Sequence, residues 1–364
     1  MVHAPPRPLP GAPPVRVNLY SDTQTRPTPA MKAAMMEAEV GDEQSGLDPT
    51  IDALCDRMAA LLGKEAALFL PSGTMCNQIA ILTHCRPGEA VLAHRSAHIL
   101  TAEGGAAAAL AGVQITPLEG ERGQFNADTL AATIIDPASR YDFPQTLVEV
   151  EQTANLGGGT VWRLEALDAV AELAHAHGMA THMDGARLMN AVVAAGVPAS
   201  DMARGFDTVW LDFTKGLGAP LGAVLCGAAS LIDRAWRWKQ RLGGSLRQGG
   251  ICAAACLYAL DHNVERLAED HANAQALARG LGQVPGLSVQ WPETNLVFID
   301  TTGTSHPAAT LAAALREAGV MMSVMGRHTL RACTHLDVDR GQVDHAVAAL
   351  REILETSDAE PARA

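Results

Sequence analysis

This 364-residue chain has no Cys-x-x-Cys pair, no apolar stretch long enough to cross a bilayer, and fewer basic than acidic residues. Each shortage excludes a class of protein. The seven cysteines (Cys55, Cys76, Cys85, Cys226, Cys252, Cys256 and Cys333) are odd in number and lack framework spacing. Reduced thiols and a cytoplasmic location are therefore expected. Cys252 and Cys256 lie one helical turn apart in an alanine-rich segment, but no histidine stands beside them. They read as small core residues, and no metal site is expected. Lys plus Arg total 27 against 40 for Asp plus Glu, a net charge of −13. Neither nucleic acid nor an anionic membrane suits such a balance as main partner. Residues 1–14 hold six prolines but no apolar centre of a signal peptide.

What is present is an alternation of strand and helix patterns. Strands are predicted at 66–70, 90–93, 113–118, 147–150, 179–183, 208–213 and 222–226. Helices are predicted at 51–62, 73–85, 98–110, 164–177 and 230–241, then over 250–278 with breaks. This pattern implies an α/β fold with a mostly parallel sheet covered on both faces. From about residue 280 the pattern changes to short strands (287–289, 296–299, 321–324, 329–334) and two helices (308–318, 342–354), an α+β unit. The expected division is a Pro-rich flexible extension (1–16), a large domain (17–260), a small C-terminal domain (261–355) and a tail (356–364).

Three motifs fall at predicted strand ends, the edge where such sheets bind ligands. Lys215 follows an apolar run and precedes Gly216-Leu217-Gly218-Ala219-Pro220. It is badly placed for a structural cation and well placed as an amine held in a pocket, although a surface lysine in a glycine turn is the plainer alternative. Asp184, in Asp184-Gly185-Ala186-Arg187, reads alone as a helix cap. Pro71-Ser72-Gly73-Thr74 sits between a strand and a helix and could cradle an anion or merely cap the helix. Together they suit pyridoxal 5'-phosphate: a lysine for the Schiff base, a carboxylate for the pyridine nitrogen, and a phosphate cradle. Arg187 could hold a carboxylate or the cofactor's phenolic oxygen. His98 reads as a capping histidine that could also stack on a ring. Two polar segments, Ser21–Pro27 and Val40–Gly46, read as surface loops or as parts of a site. Arg331, flanked by apolar residues on a predicted strand, calls for an anion.

These segments, in this order, resemble the L-threonine aldolase family of pyridoxal phosphate enzymes, in the aspartate-aminotransferase-like fold group. The resemblance runs from about Val17 to Leu354. It is carried by Ser-Asp-Thr-Gln-Thr-Arg-Pro-Thr (21–28), Gly41-Asp42, Asp48-Pro49-Thr50, Gly63-Lys64-Glu65-Ala66-Ala67, Pro71–Thr74, Asp184–Arg187, Lys215–Pro220, Arg247-Gln248 and Thr334-His335-Leu336-Asp337-Val338. The resemblance implies a fold with a seven-stranded sheet and retro-aldol cleavage of a β-hydroxy-α-amino acid to glycine and an aldehyde. It implies that Lys215 carries the cofactor, Asp184 pairs with the pyridine nitrogen and His98 stacks on the ring. Ser72, Gly73 and Thr74 would hold the phosphate, and Arg187, Arg331 and Ser21 the substrate carboxylate. Arg247 would reach a phosphate across a subunit interface, in a homotetramer built from dimers with interfacial active sites.

Two positions depart from the family pattern. Relatives commonly have Glu-Asn-Thr-His-Asn where this chain has Glu151-Gln152-Thr153-Ala154-Asn155, and a tyrosine where it has Ser45. Both changes imply a substrate pocket with more room or a different polarity, hence a larger substrate such as an aryl-serine, or weak threonine cleavage. β-Elimination, racemisation and transamination stay open, because the same lysine and aspartate serve them. A non-catalytic scaffold is the rival of another class.

Overall fold

The computed structural model describes residues 13–135 and 139–359. Most of the expected N-terminal extension, and residues 360–364 of the expected tail, lie outside them. The chain forms two compact units, one of Arg26–Glu265 and one joining the residues up to Thr25 to those from Arg266 onward. The segment after Val17 therefore belongs with the smaller unit, not the larger one as the sequence suggested. The reason is strand pairing. Strand β1 (Val17–Asn18) pairs in parallel with a strand of the C-terminal region at Val320–Met321, and Cys333 N donates to Leu19 O at 2.9 Å.

The larger unit holds a seven-stranded sheet of β2 (Ala66–Leu70), β3 (Ala90–His94), β4 (Gln114–Leu118), β5 (Gln145–Glu151), β6 (Ala180–Asp184), β7 (Thr208–Asp212) and β8 (Ala223–Gly227), in the order β2-β8-β7-β6-β5-β3-β4. Strand β8 runs antiparallel to both its neighbours, and the remaining pairs are parallel. Its direction follows from its connection. The link from β7 carries no helix, and a parallel return needs a longer crossover. Strands β3, β7 and β8 are buried along their whole length, as expected of strands covered on both faces. Helix Pro49–Leu62 is capped by Asp48, whose Oδ1 accepts from Ile51 N at 3.1 Å, and it ends at Gly63.

The predicted helix at 98–110 is interrupted. A short helix, His98–Thr101, is followed by Gly104 and Gly105 at φ 63° and 74°, and helical turns resume at Ala107–Ala111. Two successive residues in the left-handed region cannot continue a right-handed helix.

The smaller unit carries β9 (Ser288–Val289), β10 (Leu296–Asp300), β11 (Val320–Met321), β12 (Ser323–Gly326) and β13 (Thr329–Cys333). Four of them form the antiparallel sheet β12-β13-β10-β9, while β11 pairs with β1. The one strand predicted at 321–324 is thus two, in separate sheets. Helices Leu267–Leu281, Ala308–Glu317 and Arg340–Ala359 accompany them, and the core gathers Leu277, Leu281, Val297, Ile299, Leu311, Leu330 and Leu350. Among the described residues, no helix is long and apolar enough to cross a membrane.

Candidate active site

Strands β2, β3, β5, β6 and β7 all point the same way, since β2 and β7 are each antiparallel to β8. Their carboxyl ends bring Gly73, His98, Glu151, Asp184 and Lys215 to one edge of the sheet. The sequence expected Gly73, Asp184 and Lys215 there.

Gly73 opens the helix Gly73–His84, whose N-cap is Ser72. The Ser72 hydroxyl accepts from Met75 N at 3.3 Å. Ser72 and Thr74 are exposed, so the first turn presents backbone N–H groups and two hydroxyls to solvent, the donor set an anion needs. A Cβ at Gly73 would overlap the indole of Trp210. Gly73→Ala is therefore expected to cost about 1–3 kcal/mol by overpacking, read by chemical denaturation. An unchanged midpoint would mean that the indole moves aside freely.

Asp184 ends β6 and is buried. Its Oδ1 accepts from Ala186 N at 3.0 Å, and its Oδ2 from Asn77 Nδ2 at 2.8 Å. Asn77 sits one turn into the helix that Gly73 opens. Its Oδ1 accepts from Trp210 Nε1 at 2.7 Å and lies 3.0 Å from His182 Nε2. An indole N–H only donates, so this bond fixes which end of the Asn77 amide is oxygen. His182 Nε2 must then carry hydrogen, and its Nδ1 accepts from the Thr208 hydroxyl at 2.8 Å. That hydroxyl in turn accepts from His84 Nε2 at 3.0 Å. Burial fits this order: it pushes His182 down to about 3 and His84 down to about 4, so both rings are neutral. Burial also raises the Asp184 carboxyl, while His98, the Asn77 donor and Lys215 pull it back.

His98 begins the short helix, with Nδ1 2.8 Å from Glu103 Oε1. Burial opposes its charge, but the Glu103 bond and the carboxylates of Asp184, Glu103 and Glu151 outweigh burial and raise its pKa above the usual imidazole value. Glu151, at the end of β5, accepts from His98 N at 3.2 Å and from Asn155 N at 2.8 Å, so it ties two loops together. Burial and the Asp184 charge push it up to about 7. On the same strand, burial and three neighbouring carboxylates push Glu149 well above the ordinary range.

Lys215 lies three residues beyond β7, its side chain 18% exposed. It forms an ion pair with Asp212 Oδ2, and its Nζ lies 5.8 Å from the Trp210 ring centroid. Asp212 Oδ1 accepts from Thr214 N and from the Thr214 hydroxyl, each at 2.8 Å. This compact turn holds the lysine at the sheet edge. Asp212, at the end of β7, carries little signal of its own in the sequence.

Residues 18–304 match the family described as beta-eliminating lyase. Low-specificity L-threonine aldolase 1 of Arabidopsis thaliana is 38% identical over 353 residues, covering 95% of this chain and 98% of the relative. The low specificity L-threonine aldolase of Escherichia coli K12 is 40% identical over 339 residues, covering 93% and 99%. The chain belongs to the L-threonine aldolase group of the beta-eliminating lyase family. Its fold agrees with that of the Leishmania major threonine aldolase, at a TM-score of 0.80 and 22% identity over 93% of this chain and 99% of that one.

In this family member the other expected residues fall into four places. Arg187 is buried, with its N–H 3.3 Å from Gln152 O, and its charge acts on Glu151. Arg247 and Ser45 meet at Asp42: Arg247 Nη1 lies 3.0 Å from Asp42 Oδ2, and the Ser45 hydroxyl donates to the same oxygen at 3.1 Å. Ser21 and Arg331 belong to the smaller unit. The Ser21 hydroxyl caps the turn Asp22–Gln24, and Arg331 Nη2 lies 3.4 Å from Tyr20 O. Ala154 is buried, and a Cβ placed on Gly123 or Gly157 would come within 2.4 or 3.1 Å of its methyl group, so both glycines pass close to it. The exchange of histidine for alanine removes an imidazole from this position.

Proposed function

We propose that this chain is a pyridoxal 5'-phosphate-dependent aldolase that cleaves a β-hydroxy-α-amino acid (threonine, allo-threonine or a bulkier aryl-serine) to glycine and an aldehyde. The observation that carries the reading is the meeting of Lys215, the buried Asp184 and the open helix start at Gly73 on one sheet edge. The donor set fits the group: an amine, a carboxylate, and N–H and hydroxyl donors at a helix start where a Cβ cannot stand. When bound, the cofactor supplies an electron sink for the pair released as the Cα–Cβ bond breaks.

The protein's part is attachment, orientation and proton placement. Lys215 would hold the cofactor through its amine. Asp184, held by Asn77 and Ala186, keeps a proton on the pyridine nitrogen. His98 would lie against the cofactor ring. Ser72, Gly73 and Thr74 hold the phosphate. Arg187 takes the substrate carboxylate or the phenolic oxygen. Ser21 and Arg331 are assigned to the carboxylate on their motifs alone. Arg247 is assigned to a partner subunit's phosphate in a cytoplasmic homotetramer, again on its motif. His98 or a phosphate-bound water receives the β-hydroxyl proton, since position 154 offers no imidazole.

The family's description makes β-elimination the second reading. A panel of threonine, allo-threonine and phenylserine, scored for products, separates the two. Glycine with an equimolar aldehyde is expected, whereas keto acid with ammonia would replace the aldolase reading. Phenylserine is expected to be cleaved at least as fast as threonine, and a strong preference for threonine would remove the aryl-serine assignment.

A further inference from the structure

Among the groups gathered at this edge, Glu103 has no role in the reading above, yet its carboxylate takes part in three side-chain hydrogen bonds. Its side chain is fully buried. Oε1 lies 2.8 Å from His98 Nδ1 and 2.8 Å from Asn77 Nδ2, and Oε2 lies 2.6 Å from Gln78 Nε2. The Trp210 bond already fixes Asn77 Nδ2 as the donor end, so Glu103 faces Asn77 as an acceptor. The same Nδ2 supplies its second hydrogen to Asp184 Oδ2 at 2.8 Å. One amide group thus stands between two carboxylates, and both must accept.

We propose that Glu103 is a positioning residue: it fixes the Nδ1–H form of His98 and, through Asn77, joins that ring to Asp184. Its geometry is independent of the cofactor; only its consequence for catalysis rests on the aldolase reading. An oxygen that accepts from Asn77 is also set to accept from His98, which places hydrogen on Nδ1 and leaves Nε2 as the second ring nitrogen. A histidine oriented by a buried carboxylate on its far nitrogen is held in angle as well as in tautomer. The charged groups that act on His98 are Glu103 on its own turn, Asp184 on β6 and Glu151 on β5. The helix packed beside it contributes only the neutral Asn77 and Gln78.

The test reads the imidazole directly. In protein labelled with ¹⁵N-histidine, with the His98 signals assigned from a His98→Asn variant, the neutral ring is expected as the Nδ1–H tautomer. An Nε2–H tautomer overturns the proposal without any variant at Glu103. In Glu103→Gln, which keeps the shape but can donate toward Nδ1, the His98 midpoint is expected to fall by about one pH unit, a roughly tenfold loss of proton affinity. Glu103→Asp is expected to restore part of that loss. A folded Glu103→Gln protein with an unchanged midpoint also overturns it. Cofactor retention on dilution, measured in the same samples, separates the two levels. A lowered midpoint with faster cofactor release supports both. A lowered midpoint with unchanged release supports Glu103 as the positioning residue and removes His98 from the cofactor site.

Discussion

Replacing Lys215 with alanine is expected to abolish the visible band of the lysine-bound cofactor and to lower turnover on the order of 10³-fold or more. The expectation can be made sharp because the chain has only four lysines: Lys32, Lys64, Lys215 and Lys239. Lys64 donates to Ala203 O and Phe206 O at 2.9 and 2.6 Å. Lys239 is fully buried in an ion pair with Glu43. Lys32 lies exposed on the helix Pro29–Met36. Only Lys215 stands at the carboxyl edge, beside Asp212 and over the Trp210 ring. Borohydride reduction followed by peptide mapping should therefore mark the Lys215 peptide and none of the other three. A mark on Lys64 or Lys239, or a Lys215→Ala protein that keeps its band, would move the site elsewhere. The variant should still fold. Asp212 keeps both bonds from Thr214 but is only 4% exposed and loses its cation, so a stability loss on the order of 3 kcal/mol is expected beside the loss of turnover.

The contrast between Lys215 and Asp212 shows how far a sequence can be read. Lys215, Asp184 and Gly73 were legible because each breaks a local rule: a cation after a buried strand, an acid at a strand end, a glycine where a helix begins. Such breaks mark sites. Asp212, Asn77, Glu103 and Glu151 break the same rule less visibly. Asn77 and Gln78 are a polar pair on the buried face of a helix, and Glu149 and Glu151 interrupt an apolar strand. Their signal was present, but burial of those faces depends on which strands lie beneath them, and that is tertiary information. The antiparallel β8 was legible in retrospect from its short, helix-free connection. The close approach of Gly123 to Ala154 was not, since the two are distant in sequence. Nor was the membership of the Val17 segment, which is fixed by pairing with Val320, some three hundred residues away.

Asn77→Asp, a change of one NH₂ for one oxygen, is expected to destabilise the fold at neutral pH by about 4 kcal/mol. The oxygen end would survive, since Trp210 Nε1 and His182 Nε2 still find an acceptor. At the other end, two donors to carboxylates vanish, each worth about 1.5–3 kcal/mol. In their place a carboxylate oxygen would face Asp184 Oδ2 and Glu103 Oε1, where the present separations are 2.8 Å. Asn77 is 0% exposed, so water does not screen the repulsion, and the loss is a large share of a typical domain's stability. The sign with pH follows. The new carboxyl is pushed above its unfolded value by burial and two like charges, so the folded state binds the extra proton more tightly. The variant is then least impaired below the unfolded carboxylate range and loses stability as pH rises from there through the raised folded value. Asn77→Leu, which also loses both donors but adds no charge, should show no added slope of this kind. Denaturation curves for the two variants across pH 4–8 decide the matter. Parallel losses with the same pH dependence would mean that Asn77 merely fills space, and that Asp184 and Glu103 are not held as a pair of acceptors.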